Sequence, residues 1–171
     1  KIESFIYSTF TFIFMVDLEE RLIQRIERGE EIDAAEAFLI ASGVKTQKQI
    51  EQYKQKLQQI KDGFHATIGT PATHRVLDRA EAYRSDYREL PDDTEALTGF
   101  LLHEYLWDTK LNRYNSEFLF PRVIDNQLSD STEDVGDCIG LVCLYHTIGN
   151  LVPITTVPFI RDDHIYLHQR T

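Results

Sequence analysis

The sequence predicts an α+β fold, in which a helical N-terminal half precedes a cysteine-bearing helix that packs on a small antiparallel sheet. Apolar residues recur at helical spacing, together with capping signals, as far as about residue 128. A short apolar segment from Ile139 to Ile148, opened by Cys138, then predicts one more helix. The runs 151–159 and 164–170 are typical of strands, and the second alternates in polarity.

The N-terminal helices are predicted from their ends. Each begins at a residue that can cap a helix and is followed three residues later by Glu or Gln. The three pairs are Asp17 with Glu20, Asp33 with Glu36, and Thr46 with Gln49. Gly43 is predicted to end the second helix and Gly63 the third. The third helix carries an apolar stripe formed by Ile50, Tyr53, Leu57 and Ile60.

The strongest break in the chain is Gly69-Thr70-Pro71. We therefore predict an apolar N-terminal extension at 1–14, a helical appendage at 15–68 and a core at 69–171. Within the core, helices are predicted at about 72–87, 97–108 and 121–128, and an acidic loop at 129–137 leads to the cysteine helix.

The composition argues against several classes of function. The chain has 171 residues and a formal net charge of −10, so it lacks the basic face that nucleic-acid binding requires. The apolar segment 1–14 is shorter than the roughly 20 residues of a membrane helix, so no transmembrane segment is predicted. The chain has two cysteines, and their spacing disfavours a disulfide between them. This favours a reducing, cytoplasmic location. We predict no cofactor, and the oligomeric state is left open.

Cys138 is the leading candidate for chemistry. It follows Gly136-Asp137 at the start of a predicted helix, so its sulfur would lie near unpaired N–H groups and the positive end of the helix dipole, which favour a thiolate. Asp137 can serve as the N-cap. The carboxylates of the loop 129–137 act in the opposite sense. The alternative interpretation is a buried structural cysteine, since free cysteine is among the most buried residue types.

His164 is the candidate base, because it opens the last predicted strand, and a thiol nucleophile needs such a partner. The alternative is a strand-end histidine with no catalytic role. His168 would share its face of the strand, but i and i+4 lie about 13 Å apart there, too far for one ion. We therefore predict no metal site. The remaining histidines have weaker claims: His65, His74, His103 and His146.

One family resemblance adds to this interpretation. The run Gly136-Asp137-Cys138-Ile139-Gly140-Leu141, continued by Leu144-Tyr145 and Asp163-His164-Ile165, resembles the transglutaminase-like superfamily in its bacterial and archaeal branch. The stretches 105–107, 112–115 and 123–128 resemble the lead-in helices of that group. The resemblance covers residues 97–171 and implies a papain-like fold.

The resemblance also implies a reaction, namely thiol-dependent acyl transfer or hydrolysis of a peptide-like amide by Cys138, with His164 as the base. Members carry a third, acidic residue on the strand after the histidine, whereas this sequence ends seven residues beyond His164. We therefore expect a core that is incomplete at its C-terminal end or an impaired activity. The alternative is a non-catalytic scaffold of the same fold that mediates protein–protein interaction. In both cases the expected partner is a peptide or protein.

Overall fold

The computed structural model describes residues 17–68, 94–110, 113–130, 134–152, 154–161 and 164–169. These residues contain six α-helices followed by two β-strands. The helices are α1 (Leu18–Glu27), α2 (Ala34–Ala41), α3 (Gln47–Thr67), α4 (Thr94–Asp108), α5 (Phe120–Leu128) and α6 (Cys138–Leu151). The strands are β1 (Thr156–Arg161) and β2 (His164–Gln169). No helix of this described part is long and apolar enough to cross a membrane.

The predicted α+β fold is wrong, because the described residues are mostly helical. Their only strands form one antiparallel ribbon, in which Thr156 pairs with Gln169 and Arg161 with His164. A single two-stranded ribbon is not a sheet layer that can carry a core, which takes three or more strands. The second predicted strand, 164–170, matches β2, whereas the first was predicted from 151, inside α6 and five residues before β1 begins. Neither run indicated whether the strands form a hairpin or a larger sheet. The described residues therefore do not show the sheet of the implied papain-like fold.

The chain divides into two compact units, Lys1–Glu51 and Gln52–Thr171. In the first unit, α1 packs on α2, and the Arg25 guanidinium donates to Glu36 at 2.8 Å. The Asp33 carboxylate caps α2 as predicted, accepting from the Glu36 N–H at 2.8 Å. Asp17 begins α1 without a side-chain cap hydrogen bond, so the predicted capping box at that end is wrong. The large buried side chains are Leu22, Leu39, Ile40, Val44 and Ile50.

Helix α3 shows how tertiary contact overrides a local signal. Its predicted stripe is confirmed, with Leu57 and Ile60 at most 2% exposed. The helix does not end at Gly63, however, but continues to Thr67. A Cβ atom at Gly63 would overlap the hydroxyl of Tyr105 on α4. The glycine therefore admits a tyrosine ring rather than ending the helix.

Helix α6 lies at the centre of the second unit, where α4, α5 and both strands pack against it. It extends to Leu151, past the apolar segment that predicted it, which ends at Ile148, and β1 begins only at Thr156. The sequence signal for a helix end is Pro153, which cannot continue a hydrogen-bonded turn. The predicted helix at 72–87, the break at Gly69-Thr70-Pro71 and the extension at 1–14 lie outside the described residues.

Candidate functional site

The segment before Cys138 is held by main-chain hydrogen bonds to the segment that begins at Arg113. Tyr114 lies beside Gly136 in an isolated parallel bridge, with the Gly136 N–H donating to the Arg113 carbonyl at 3.0 Å. The Asp137 N–H then donates to the Glu117 carbonyl at 2.8 Å. Since these bonds fix the backbone up to Asp137, they also fix where α6 begins.

Cys138 is the first residue of α6 and is partly exposed. The Asp137 carboxylate accepts from the Gly140 N–H at 2.8 Å, as predicted for an N-cap, and the Asp137 carbonyl accepts from the Leu141 N–H at 2.9 Å. The N–H groups of Cys138 and Ile139 take part in neither of these two hydrogen bonds. They are available to hold a negative charge at the sulfur or next to it.

Two glycines allow α5 to approach the start of α6. A Cβ atom at Gly140 would lie 2.6 Å from Cγ2 of Val123 and 3.4 Å from the Glu117 carbonyl oxygen. One at Gly136 would lie 2.8 Å and 3.0 Å from the same two atoms. Side chains essentially never come so close, so the positions need glycine for packing. The Gly-Asp-Cys-Ile-Gly run therefore encodes a close helix contact as well as a helix start.

His164 is described through its backbone, at the first position of β2 and opposite Arg161. Its side chain lies outside the described part of the chain. At the other end of the ribbon, Thr156 contacts the C-terminal half of α6, where its Oγ1 lies 2.7 Å from Nδ1 of His146. The Asn150 amide lies 3.3 Å from Nε2 of the same ring. His146, which has a weak claim from sequence alone, thus links the ribbon to α6.

An exposed row of rings lies beside the start of α6. The ring of His103 stacks on that of Trp107 at 5.7 Å between centroids and 16°, and Trp107 meets Tyr114 edge to face at 6.4 Å and 70°. Trp107 is 42% exposed and Tyr114 63%. We call these three residues the aromatic row. Sequence reasoning missed it, and the only local signal was the helical i, i+4 spacing of His103 and Trp107.

A buried cation lies next to this row. Arg113 is 6% exposed, and its Cζ atom lies 5.8 Å from the centroid of the Trp107 ring. Its guanidinium donates to the Leu106 carbonyl, and to Oε1 of Gln127 at 3.2 Å. Burial lowers the pKa of Arg113 to about 10, so the group stays charged at neutral pH. Because both acceptors belong to the chain itself, the guanidinium stabilises the fold.

The second cysteine contrasts with the first. Cys143 lies within α6, and burial, aided by the negative charge of Asp137, raises the pKa of its thiol to about 11. A thiol of that acidity is protonated, and so unreactive, at neutral pH. Cys143 therefore serves as an internal reference for Cys138 in the same helix.

Within the described ranges, no group of three His, Cys, Asp or Glu side chains could hold a metal ion. Comparisons with protein-family models, with curated proteins and with solved structures found no match for this chain. The resemblance to the transglutaminase-like superfamily accordingly stays a prediction.

Proposed function

We propose that the chain carries out thiol-dependent acyl transfer or hydrolysis of a peptide-like amide, with Cys138 as the nucleophile and His164 as the base. The observation that carries the proposal is the position of Cys138. It is a partly exposed cysteine at the first residue of α6, directly after a capping aspartate. Helix N-termini favour the thiolate, because their free N–H groups and dipole attract negative charge.

The ribbon supports His164 as the base. It begins at Thr156 beside the C-terminal half of α6, and both of its strands pack against that helix. From Thr156 to Arg161 a strand advances about 17 Å. From Gly149 back to Cys138 a helix covers about 16 Å. If β1 runs antiparallel to α6, the end of the ribbon where Arg161 pairs with His164 lies at the same height along the helix axis as Cys138.

The proposed reaction begins when the imidazole of His164 takes the proton of the Cys138 thiol. The sulfur then forms a bond to the amide carbonyl carbon, and the carbonyl oxygen becomes an oxyanion held by the N–H groups of Cys138 and Ile139. The carbon–nitrogen bond breaks as the imidazolium returns the proton to the leaving amine. Water hydrolyses the resulting thioester, or a second amine takes the acyl group, and the thiol is restored.

The charge and the cysteines indicate the setting for this chemistry. With a net charge of −10, a peptide or protein is a better partner than a nucleic acid. Cys138 and Cys143 are both free thiols. We propose a cytoplasmic location, because a working thiol needs a reducing compartment.

A second candidate function is that of a non-catalytic interaction module. The observation that favours it is the exposure of large rings close to the start of α6, where Phe118 at 58% adds to Trp107 and Tyr114. Exposed apolar side chains that cluster mark interaction sites. In this case Cys138 would be a structural residue.

Reaction with p-nitrophenyl acetate separates the two candidates without a known substrate. We expect a burst of one p-nitrophenolate per chain at neutral pH and an acetyl group on Cys138, found by peptide mass mapping. Cys138→Ser should abolish the burst, and His164→Ala should slow it by roughly 100-fold or more. Cys143→Ala is the matched control and should leave it unchanged. A burst that survives Cys138→Ser, or no acetylation of Cys138, rejects the enzyme and leaves the interaction module.

A further inference from the structure

We propose that His103, paired with the carboxylate of Glu104, is a second catalytic base, which activates the water that releases the acyl group from Cys138. The inference rests on the proposed function, since it concerns the second half of that reaction. His164 keeps its role in forming the thioester. What His103 adds is a preference for hydrolysis of the thioester over transfer of the acyl group to an amine.

The His103 side chain has the surroundings that a base needs. Its Nδ1 atom lies 3.6 Å from Oε1 of Glu104, so the carboxylate can pair with the ring once the ring carries a proton. The ring also stacks on that of Trp107, which restricts its orientation. The side chain is 55% exposed, so the imidazole is open to water. A ring with one nitrogen towards a carboxylate has the other, Nε2, left to accept a proton, as in other imidazole bases.

Helix α4 packs against α6 and runs in the opposite direction. The Tyr145 hydroxyl donates to the Gly99 carbonyl, so the middle of α6 lies level with the first half of α4. Further along α4, the Trp107 ring meets that of Tyr114, whose backbone pairs with Gly136 just before α6 begins. The end of α4 therefore lies level with the start of α6.

His103 lies between these two contacts. Its ring is 6.2 Å from that of Tyr145, which is two turns after Cys138 and on the same side of α6. From Gly99 to His103, α4 advances about 6 Å. From Tyr145 back to Cys138, α6 covers about 10 Å. The imidazole thus lies within about one helical turn of Cys138 in height, a separation that one bound water molecule can bridge.

The proposed step needs no reactant besides the thioester and water. Nε2 of His103 takes a proton from the water, and the water oxygen forms a bond to the thioester carbonyl carbon. The carbon–sulfur bond then breaks, and the imidazolium returns the proton to the Cys138 sulfur. The products are a free thiol and a carboxylic acid.

Release of an acetyl group from Cys138 measures this step by itself. The full chain is acetylated with p-nitrophenyl acetate and freed of excess reagent, and the loss of the acetyl group is followed by intact mass at neutral pH. We expect His103→Gln to form the acetyl-enzyme normally but to release the acetyl group at least about 10-fold more slowly. Glu104→Gln should slow the release by about 3-fold or more, because the ring loses its charged partner.

Imidazole in solution separates a catalytic role of His103 from a structural one. It should restore the release in His103→Gln, because it replaces the missing base, and should change the rate of the unaltered chain much less. His65→Gln is the matched control, since it removes an exposed histidine of α3, and it should change neither acetylation nor release.

Release from His103→Gln at the rate of the unaltered chain would overturn the inference and leave the proposed function standing. Slowed release that imidazole does not restore would also overturn it, because the residue would then act only through the fold. If the unaltered chain forms no acetyl-Cys138, the proposed function fails and the inference fails with it. The two failures therefore differ in whether the acetyl-enzyme forms.

Discussion

The Cβ atom that Gly140 lacks would lie 2.6 Å from Cγ2 of Val123, so the first turn of α6 and the helix α5 are in closer contact than a side chain would allow. Val123 is completely buried, and Gly136 makes a second contact of the same kind. The position of Cys138, between these two glycines in sequence, is therefore set by the backbone contact around it. Its orientation should be sensitive to a single added methyl group.

Gly140→Ala tests this contact. An alanine inside an unobstructed helix is favoured over glycine by about 1 kcal/mol. Here we expect the opposite sign, a loss of about 1–3 kcal/mol in the free energy of unfolding by urea, because the methyl group overlaps Val123. In a Val123→Ala background the same change should become neutral or stabilising. If Gly140→Ala stabilises the unaltered chain, the close contact is not present.

Arg113→Met tests the buried guanidinium. The change leaves the Leu106 carbonyl and Oε1 of Gln127 without this donor. We expect the chain to lose about 2–4 kcal/mol of stability in thermal or urea unfolding. Arg113→Lys should recover only part of the loss, because an ammonium lacks the planar fork. The control is Arg122→Met, which removes an exposed arginine and should lower the free energy of unfolding by at most about 0.5 kcal/mol. Equal losses of stability in Arg113→Met and Arg122→Met would contradict the stabilising role of Arg113.

The link between His146 and Thr156 predicts a dependence of stability on pH. Burial lowers the pKa of His146, and its contact with Thr156 opposes this shift only in part. The folded chain therefore binds a proton at this ring less readily than the unfolded chain. The stabilisation is present above the unfolded value of about 6.5 and is lost as the pH falls through the lower folded value.

Urea unfolding at pH 7.5 and pH 5 measures this effect. The free energy of unfolding of the unaltered chain should fall more on acidification than that of His146→Gln, which cannot titrate. If the free energy of unfolding depends on pH in the same way in both proteins, the titration of His146 is not coupled to the packing of the ribbon on α6.

Asp137 has two separable effects on the start of α6. Asp137→Asn keeps an oxygen that accepts from the Gly140 N–H but removes the negative charge beside Cys138. We expect less than about 0.5 kcal/mol change in stability, whereas Asp137→Ala should cost about 1 kcal/mol. Equal losses of stability in Asp137→Asn and Asp137→Ala would show that the negative charge, and not the accepting oxygen, stabilises the helix start.

Local rules predicted the parts of the site that local chemistry decides. The run Gly136-Asp137-Cys138 correctly predicted the start of α6 and its aspartate cap, because capping depends on residues within one turn. The aromatic row depends on the pairing of Tyr114 with Gly136. This is a main-chain bridge, and no pattern of side chains in the sequence predicts it. Contacts of this kind join distant segments and are invisible to local periodicity.

The errors have the same origin. Gly63 resembles a helix end in sequence, and only its contact with Tyr105 shows why a glycine occurs there. The α+β class was predicted from two strand-like runs. In the structure the first of these runs begins inside α6, and its later residues pair with the second run in one two-stranded ribbon, so the described residues form no larger sheet. Periodicity shows that a segment can pair but not how many other strands lie beside it.

The most direct test of the central claim is the rate of iodoacetamide alkylation at each cysteine between pH 6 and pH 9, in the unaltered chain and in His164→Ala, with the labelled residue identified by mass mapping. Cys143, whose pKa burial raises to about 11, should stay unlabelled throughout. We predict that Cys138 is labelled faster than Cys143 throughout this range and that its rate falls by about 10-fold or more in His164→Ala. Labelling of Cys138 no faster than that of Cys143, or at a rate unchanged by the loss of His164, would contradict this prediction.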